Sequence, residues 1–129
     1  MPFKFSEKSV EKLNTVDPVL KKLVCEVQKI SPIPFEISEG IRSLARQRQL
    51  IAEGKSKTLK SKHLLGQAID FVPLRKGKWN FNGWESAAFI AGLFIAKSKE
   101  LGIKIVSGAL WWNSCIEDVN FRDHWHIQI

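Results

Sequence analysis

All three histidines of the chain fall in two short segments, Ser61-Lys62-His63-Leu64-Leu65-Gly66-Gln67-Ala68-Ile69-Asp70 and Asp123-His124-Trp125-His126, and each segment also carries aspartate. Neutral imidazoles and a carboxylate are what a catalytic zinc ion takes from a protein, three ligands with a fourth position left open to water. His63, Asp70 and one of His124 and His126 supply such a set. His63 and Asp70 stand seven positions apart, too far for one helical turn and suited to a loop that runs into a strand, with Gly66 free to make the turn. On a final strand His124 and His126 share a face, because side chains alternate, and Trp125 points the other way, toward the core. A lone histidine on a strand is usually a satisfied polar group. Three histidines and two aspartates gathered in two strand-edge segments form a metal-site pattern.

The elements that must position these residues can be read from spacing and punctuation. Ser6 to about Leu13 reads as a short helix. Asp17-Pro18 is a helix start, an N-cap followed by proline at the first helical position, and Val19, Leu20, Leu23, Val24, Val27 and Ile30 then recur at helical spacing. Ser31-Pro32-Ile33-Pro34 ends that helix, and Phe35 to Ser38 reads as a short strand. Ser43 caps a helix holding Leu44, Ala45, Leu50 and Ile51, which Gly54 closes, and Lys55 to Lys62 follows as a basic loop. Ala68 to Val72 is a strand ended by Pro73, and Trp79 to Gly83 is a turn-rich connection. From Trp84 to about Leu101 a broad apolar set predicts the longest helix, buried on most sides and stopped by Gly102. Ile103–Val106 and His124–Ile129 are the remaining strands. The fold class expected is α+β, one domain over residues 1–129, with a helical part at 1–30 and a core at 31–129 built on a small antiparallel sheet.

Composition narrows the possible partners. The chain has 129 residues, 44% of them apolar and 26% charged, enough for one modest core and close to the globular average. Lys and Arg number 20 against 13 acids, a formal net charge of +7, which favours an anionic partner such as nucleic acid, lipid head groups or an acidic polymer. No apolar stretch reaches the length of a membrane span, and Ala87 to Ala96 is broken by Gly92. The N-terminal residues lack the apolar core of a secretory signal, so synthesis without Sec export is expected. Cys25 and Cys115 form neither a CxxC pair nor a disulfide framework and read as reduced thiols.

The run S-x-H-x2-G-x-A-x-D at Ser61 to Asp70, with D-x-x-H at Asp123 to His126, resembles the zinc peptidoglycan peptidases that include VanY-type D-Ala-D-Ala carboxypeptidases and phage L-alanyl-D-glutamate endopeptidases. The likeness extends upstream to Ser38-Glu39-Gly40-Ile41-Arg42-Ser43, similar to the family's S-G-x-R-S segment. Downstream it reaches the aromatic stretch Gly108 to Trp112, which loosely follows a Gly-Gly-x-Trp loop. The resemblance implies a Hedgehog/DD-peptidase-like fold and one Zn²⁺ per chain, held by His63, Asp70 and His126. It makes Asp123 the general base, and it places Arg42, Ser61 and Trp111 near the substrate. His124 resembles the first histidine of an H-x-H pair in lysostaphin-type enzymes, which assists the transition state. An ideal strand would put Asp123 and His126 on opposite faces, so a bulge or a strand start near His124 is expected.

The activity this implies is cleavage of the peptidoglycan peptide stem, with the L-Ala/D-Glu bond preferred, by a monomeric phage or prophage endolysin. Such an enzyme is made in the host cytoplasm and acts on the wall in the periplasm after release. Trimming of terminal D-Ala as a carboxypeptidase is the alternative on the same fold. A basic nucleic-acid-binding or metal-dependent nuclease domain is the alternative from another class, but the chain shows no RNP, zinc-finger or helix-turn-helix signature, so no nucleic-acid partner is expected. Between Glu39 and Lys62 seven basic residues (Arg42, Arg46, Arg48, Lys55, Lys57, Lys60, Lys62) face two acids. That patch, next to the metal pattern, suits the free carboxylates of murein stem peptides.

Overall fold

The computed structural model describes residues 3–54, 62–107 and 125–129. Ser6 caps α1 (Glu7–Leu13), its hydroxyl accepting the Ser9 N–H, and Asp17 caps α2 (Pro18–Ile30) in the same way through Val19 N–H. After the proline break comes β1 (Phe35–Glu39), then α3 (Leu44–Ala52), capped by Ser43, whose hydroxyl accepts Arg46 N–H. A single 3-10 turn, Lys62–Leu65, leads into β2 (Ala68–Arg75), which folds back as a hairpin onto β3 (Lys78–Trp79). The chain then runs through α4 (Trp84–Leu101), which ends on Gly102 in the left-handed conformation (φ 70°), to β4 (Val106–Ser107) and β5 (His126–Gln128).

The antiparallel sheet has the order β1-β2-β5-β4, with β3 paired to the far end of β2. Ile69, Phe71 and Ile127 point from this sheet into one apolar core with Leu20, Leu23, Val24 and Val27 of α2 and Ala87, Ile90, Ala91 and Phe94 of α4. Phe71 stacks on Phe94 with ring centroids 5.5 Å apart. Side chains alternate along a strand, so Asp70, between Ile69 and Phe71, projects from the opposite face. Its register partner on β5 is His126. The apolar periodicity of the sheet thus sends both residues away from the helical core and toward each other. No helix among the described residues is long and apolar enough to cross a membrane.

Helix starts and stops fall where the sequence places them, but several strands do not. β2 runs through Pro73 to Arg75. Pro73 turns its carbonyl to the hairpin side, where it accepts Asn80 N–H at 2.8 Å, so its missing donor faces that same side, past the end of β5. Lys76 and Gly77, both with positive φ (53° and 76°), make a two-residue turn of the kind that matches strand twist, and Trp79 is therefore in a strand and not in a loop. β4 begins only at Val106, because Ile103 N–H is tied back to Ser98 O at the end of α4. α4 buries one stripe (Ala87, Ile90, Ala91, Phe94, Ser98) and not most of its circumference; Phe89 is half exposed. β5 starts at His126, and the earlier part of the strand expected from His124 lies outside the described residues. Cys25 is a free thiol, half-buried on α2, and Cys115 is outside the described residues.

Candidate metal centre

His63, Asp70 and His126 converge. Each offers one ligand atom, and these atoms all lie within 4.8 Å of one another. His63 Nε2 and His126 Nδ1 each stand 3.1 Å from Asp70 Oδ1, and the two imidazole rings meet edge to face with centroids 5.0 Å apart. Both histidines are nearly or fully buried. Three elements bring them together: the 3-10 turn carries His63, Gly66 with φ 68° reverses the chain into β2, and the β2/β5 ladder sets Asp70 beside His126.

The outer nitrogen of each ring has an oxygen partner. His63 Nδ1 is 2.9 Å from Gly40 O, and His126 Nε2 is 2.8 Å from Gln128 Oε1. An oxygen acceptor fixes the ring proton on the outer nitrogen, so in each neutral imidazole the inner nitrogen is left with a lone pair. Two imidazole nitrogens then face one carboxylate oxygen at hydrogen-bond distance, an arrangement that ring protons or a cation can satisfy. Either each ring gains a second proton or a cation sits among the three. The donor set fits zinc: two nitrogens and one carboxylate oxygen, with outer hydrogen bonds that orient the rings. With protons in place of the ion, burial, the largest influence, pushes the Asp70 carboxyl up, but hydrogen bonds from His126 and His63 and their positive charge outweigh it. The carboxyl ends well below the ordinary carboxylate range.

Arg42 also reaches this face of the sheet. Its Nε and Nη2 grip Glu39 at 2.5 and 2.6 Å, its Nη1 donates to Gln47 at 2.6 Å, and its Nη2 lies 3.6 Å from Asp70 Oδ2. Backbone contacts lace this segment to the 3-10 turn, since Arg42 N–H donates to His63 O at 2.9 Å. The structure therefore brings together His63, Asp70, His126 and Arg42. Ser61, Trp111, Asp123 and His124 lie outside the described residues, as do Gly108 to Trp112 and Lys55, Lys57 and Lys60.

Sequence reasoning missed the partners that orient the set: Gly40 O, Gln128 and Gln47. Gln128 had a signal, because two residues after His126 on a strand is the same face. Gly40 acts through its carbonyl, and Gln47 is a buried polar residue on a helix, so neither announces itself by type.

The α+β domain thus carries, on the sheet face turned away from its apolar core, a His-Asp-His cluster that could hold one metal ion. The model of the phage L-alanyl-D-glutamate peptidase family matches residues 1–129. The L-alanyl-D-glutamate peptidase of Escherichia phage T5 is 42% identical over 114 residues, covering 86% of this chain and 83% of that protein. That of Listeria phage A118 is 41% identical over 69 residues, 53% of this chain and 24% of the longer relative. Among solved structures, the Serratia marcescens L-Ala D-Glu endopeptidase ChiX aligns over 99% of this chain and 90% of its own, with TM-score 0.84 and 34% identity. The chain belongs to the phage L-alanyl-D-glutamate peptidase family.

Proposed function

We propose that this protein is a zinc peptidase that hydrolyses the bond between L-Ala and D-Glu in the peptidoglycan stem, acting as a monomeric endolysin on the host wall after release from the cytoplasm. One observation carries the reading: in a chain of this family, two imidazole nitrogens and a carboxylate oxygen converge within 4.8 Å of one another. Zinc bound there supplies Lewis acidity, polarising the scissile carbonyl and acidifying water. His63, Asp70 and His126 hold it. Asp123, three residues before His126, is the base that takes a proton from the attacking water and passes it to the leaving amine. His124 stabilises the developing oxyanion, and Arg42, Ser61 and Trp111 line the substrate.

Mass spectrometry of purified muropeptides after digestion tests the assignment. New amino-terminal D-Glu is expected, with activity lost to a chelator and restored by Zn²⁺. Release of terminal D-Ala alone would make the protein a carboxypeptidase, and undiminished cleavage after metal removal would overturn the zinc reading.

A further inference from the structure

Glu39 stands immediately before the Gly40-Ile41-Arg42-Ser43 run of the resembled motif, and the structure gives it a defined place. The β1/β2 ladder slips between Ile37 and Glu39, so that Glu39, and not Ser38, lies opposite Asp70. Directly opposed residues of an antiparallel pair project from the same face, and two carboxylates so placed repel each other. Arg42 resolves the conflict: its guanidinium gives the Nε/Nη2 edge to Glu39 and turns Nη2 toward Asp70 Oδ2 at 3.6 Å. Its side chain is only 8% exposed, and Gln47, fully buried, holds Nη1 from the other side. A bulge beside a functional site that re-aims a side chain is a feature selected for position.

Resting on the metal reading above, we propose that Glu39 is a positioning residue for the metal centre, acting through Arg42. Glu39 balances the guanidinium and holds it at the Oδ2 side of Asp70, which leaves Oδ1 to the cation that His63 and His126 face. Without Glu39, a desolvated guanidinium has Asp70 as its remaining carboxylate among the described residues. It closes on Asp70 and competes with the metal for it, while adding an unbalanced positive charge beside the ion.

The test is zinc affinity, measured by competition with a chromophoric chelator, together with the thermal midpoint of the metal-free protein. Glu39→Gln should weaken zinc binding about ten- to hundredfold, the usual effect of losing a residue that orients a ligand. In an Arg42→Gln background, with no guanidinium to balance, the same replacement should change affinity by less than about threefold. Equal losses in both backgrounds, or wild-type affinity in Glu39→Gln, would overturn the proposal. Where Glu39→Gln alone fails to fold by its midpoint, the comparison of Arg42→Gln with the double variant decides, and a tenfold loss there overturns it. Wild-type protein that binds no zinc would instead defeat the metal reading on which the proposal stands.

Discussion

The helical N-terminal part and the segments that carry the ligands solve different problems. In residues 39–42, 62–70 and 126–128 most of the important groups are side chains of reactive or charged types, Glu39, Arg42, His63, Asp70 and His126, beside the one backbone carbonyl of Gly40. In α1, α2 and the turn between them no residue has chemistry to offer, yet that turn is wedged against both ligand-bearing loops. Thr15 Oγ1 accepts Ile41 N–H at 3.0 Å, and Asp17 N–H donates to Gly66 O at 2.8 Å. Gly40 and Gly66 lie so close to it that an added Cβ would meet Lys12 O at 2.5 Å and Thr15 O at 3.1 Å respectively. Chemistry is carried by side chains at a spacing, and precision by backbone pressed against backbone. The second leaves little mark in a sequence beyond a glycine.

Breaking the ligand region should have the largest effect. His63→Ala or His126→Ala should abolish zinc binding and lower kcat/KM on the order of 10³-fold or more, because the Lewis acid goes with the ligand. Asp123→Ala should keep the metal and still lose about 10²- to 10⁴-fold in kcat, since the base acts on water and not on the ion. Metal analysis beside steady-state kinetics separates the two. An Asp123→Ala enzyme with near-normal turnover would pass the base role to another group, His124 first.

Gly40→Ala strikes the contact between the two regions. The new methyl would sit 2.5 Å from Lys12 O and 2.6 Å from Thr15 Oγ1, so either the end of α1 or the segment from Gly40 to Arg42 must move. Overpacking of this kind costs about 2 kcal/mol. Since Gly40 O also holds the His63 ring, zinc affinity should fall about tenfold as well. Urea unfolding of the metal-free protein and a zinc titration check both effects. A loss of stability with unchanged affinity would show that the loops hold their geometry without the N-terminal turn.

The same division explains what could be read in advance. Asp17-Pro18, Ser43 and Gly102 marked helix ends correctly because caps are local chemistry, and residue types narrowed the converging cluster to His63, Asp70 and one of His124 and His126, the choice of His126 coming from the family resemblance. The β2/β3 hairpin was not, since Lys76-Gly77 lacks the usual Asn-Gly or Asp-Gly signature. Nor was the extension of β2 through Pro73, which depends on where its neighbour β5 ends. The bulge that sets Glu39 opposite Asp70 is a matter of register, and register is fixed by tertiary pairing. Glu36 shows the same limit. Its position in an apolar strand suggested nothing, but its buried carboxylate accepts Ser6 N–H at 3.0 Å and the hydroxyls of Ser6 and Ser9, tying β1 to the start of α1.

Ser9→Ala tests that tie with a smaller expected effect. Ser9 is buried, donates to Glu36 and accepts Ile37 N–H at 2.9 Å. Its loss should cost about 1 to 3 kcal/mol by leaving buried polar groups short of partners. Because Thr15, Asp17 and the two glycines still brace the ligand loops, zinc affinity should stay within about threefold of wild type. A parallel fall in affinity would mean that the whole N-terminal part, and not only its turn, sets the metal geometry.

The smallest effect belongs to the basic segment before the ligand turn. Replacing Lys55, Lys57 and Lys60 together with Gln should slow lysis of intact walls a few-fold while leaving cleavage of a small soluble stem peptide nearly unchanged. These lysines lie outside the metal motif, so their charge acts at long range, raising the local concentration of a polyanionic wall without altering the ligand set. Attraction of that kind is screened beyond a Debye length of about 8 Å at physiological ionic strength, so the defect should shrink as salt rises. Lysis rates on walls and on peptide, each across a salt series, give the comparison. Equal, salt-independent losses on both substrates would place the segment in the pocket that receives the peptide, and the excess positive charge would then need another explanation.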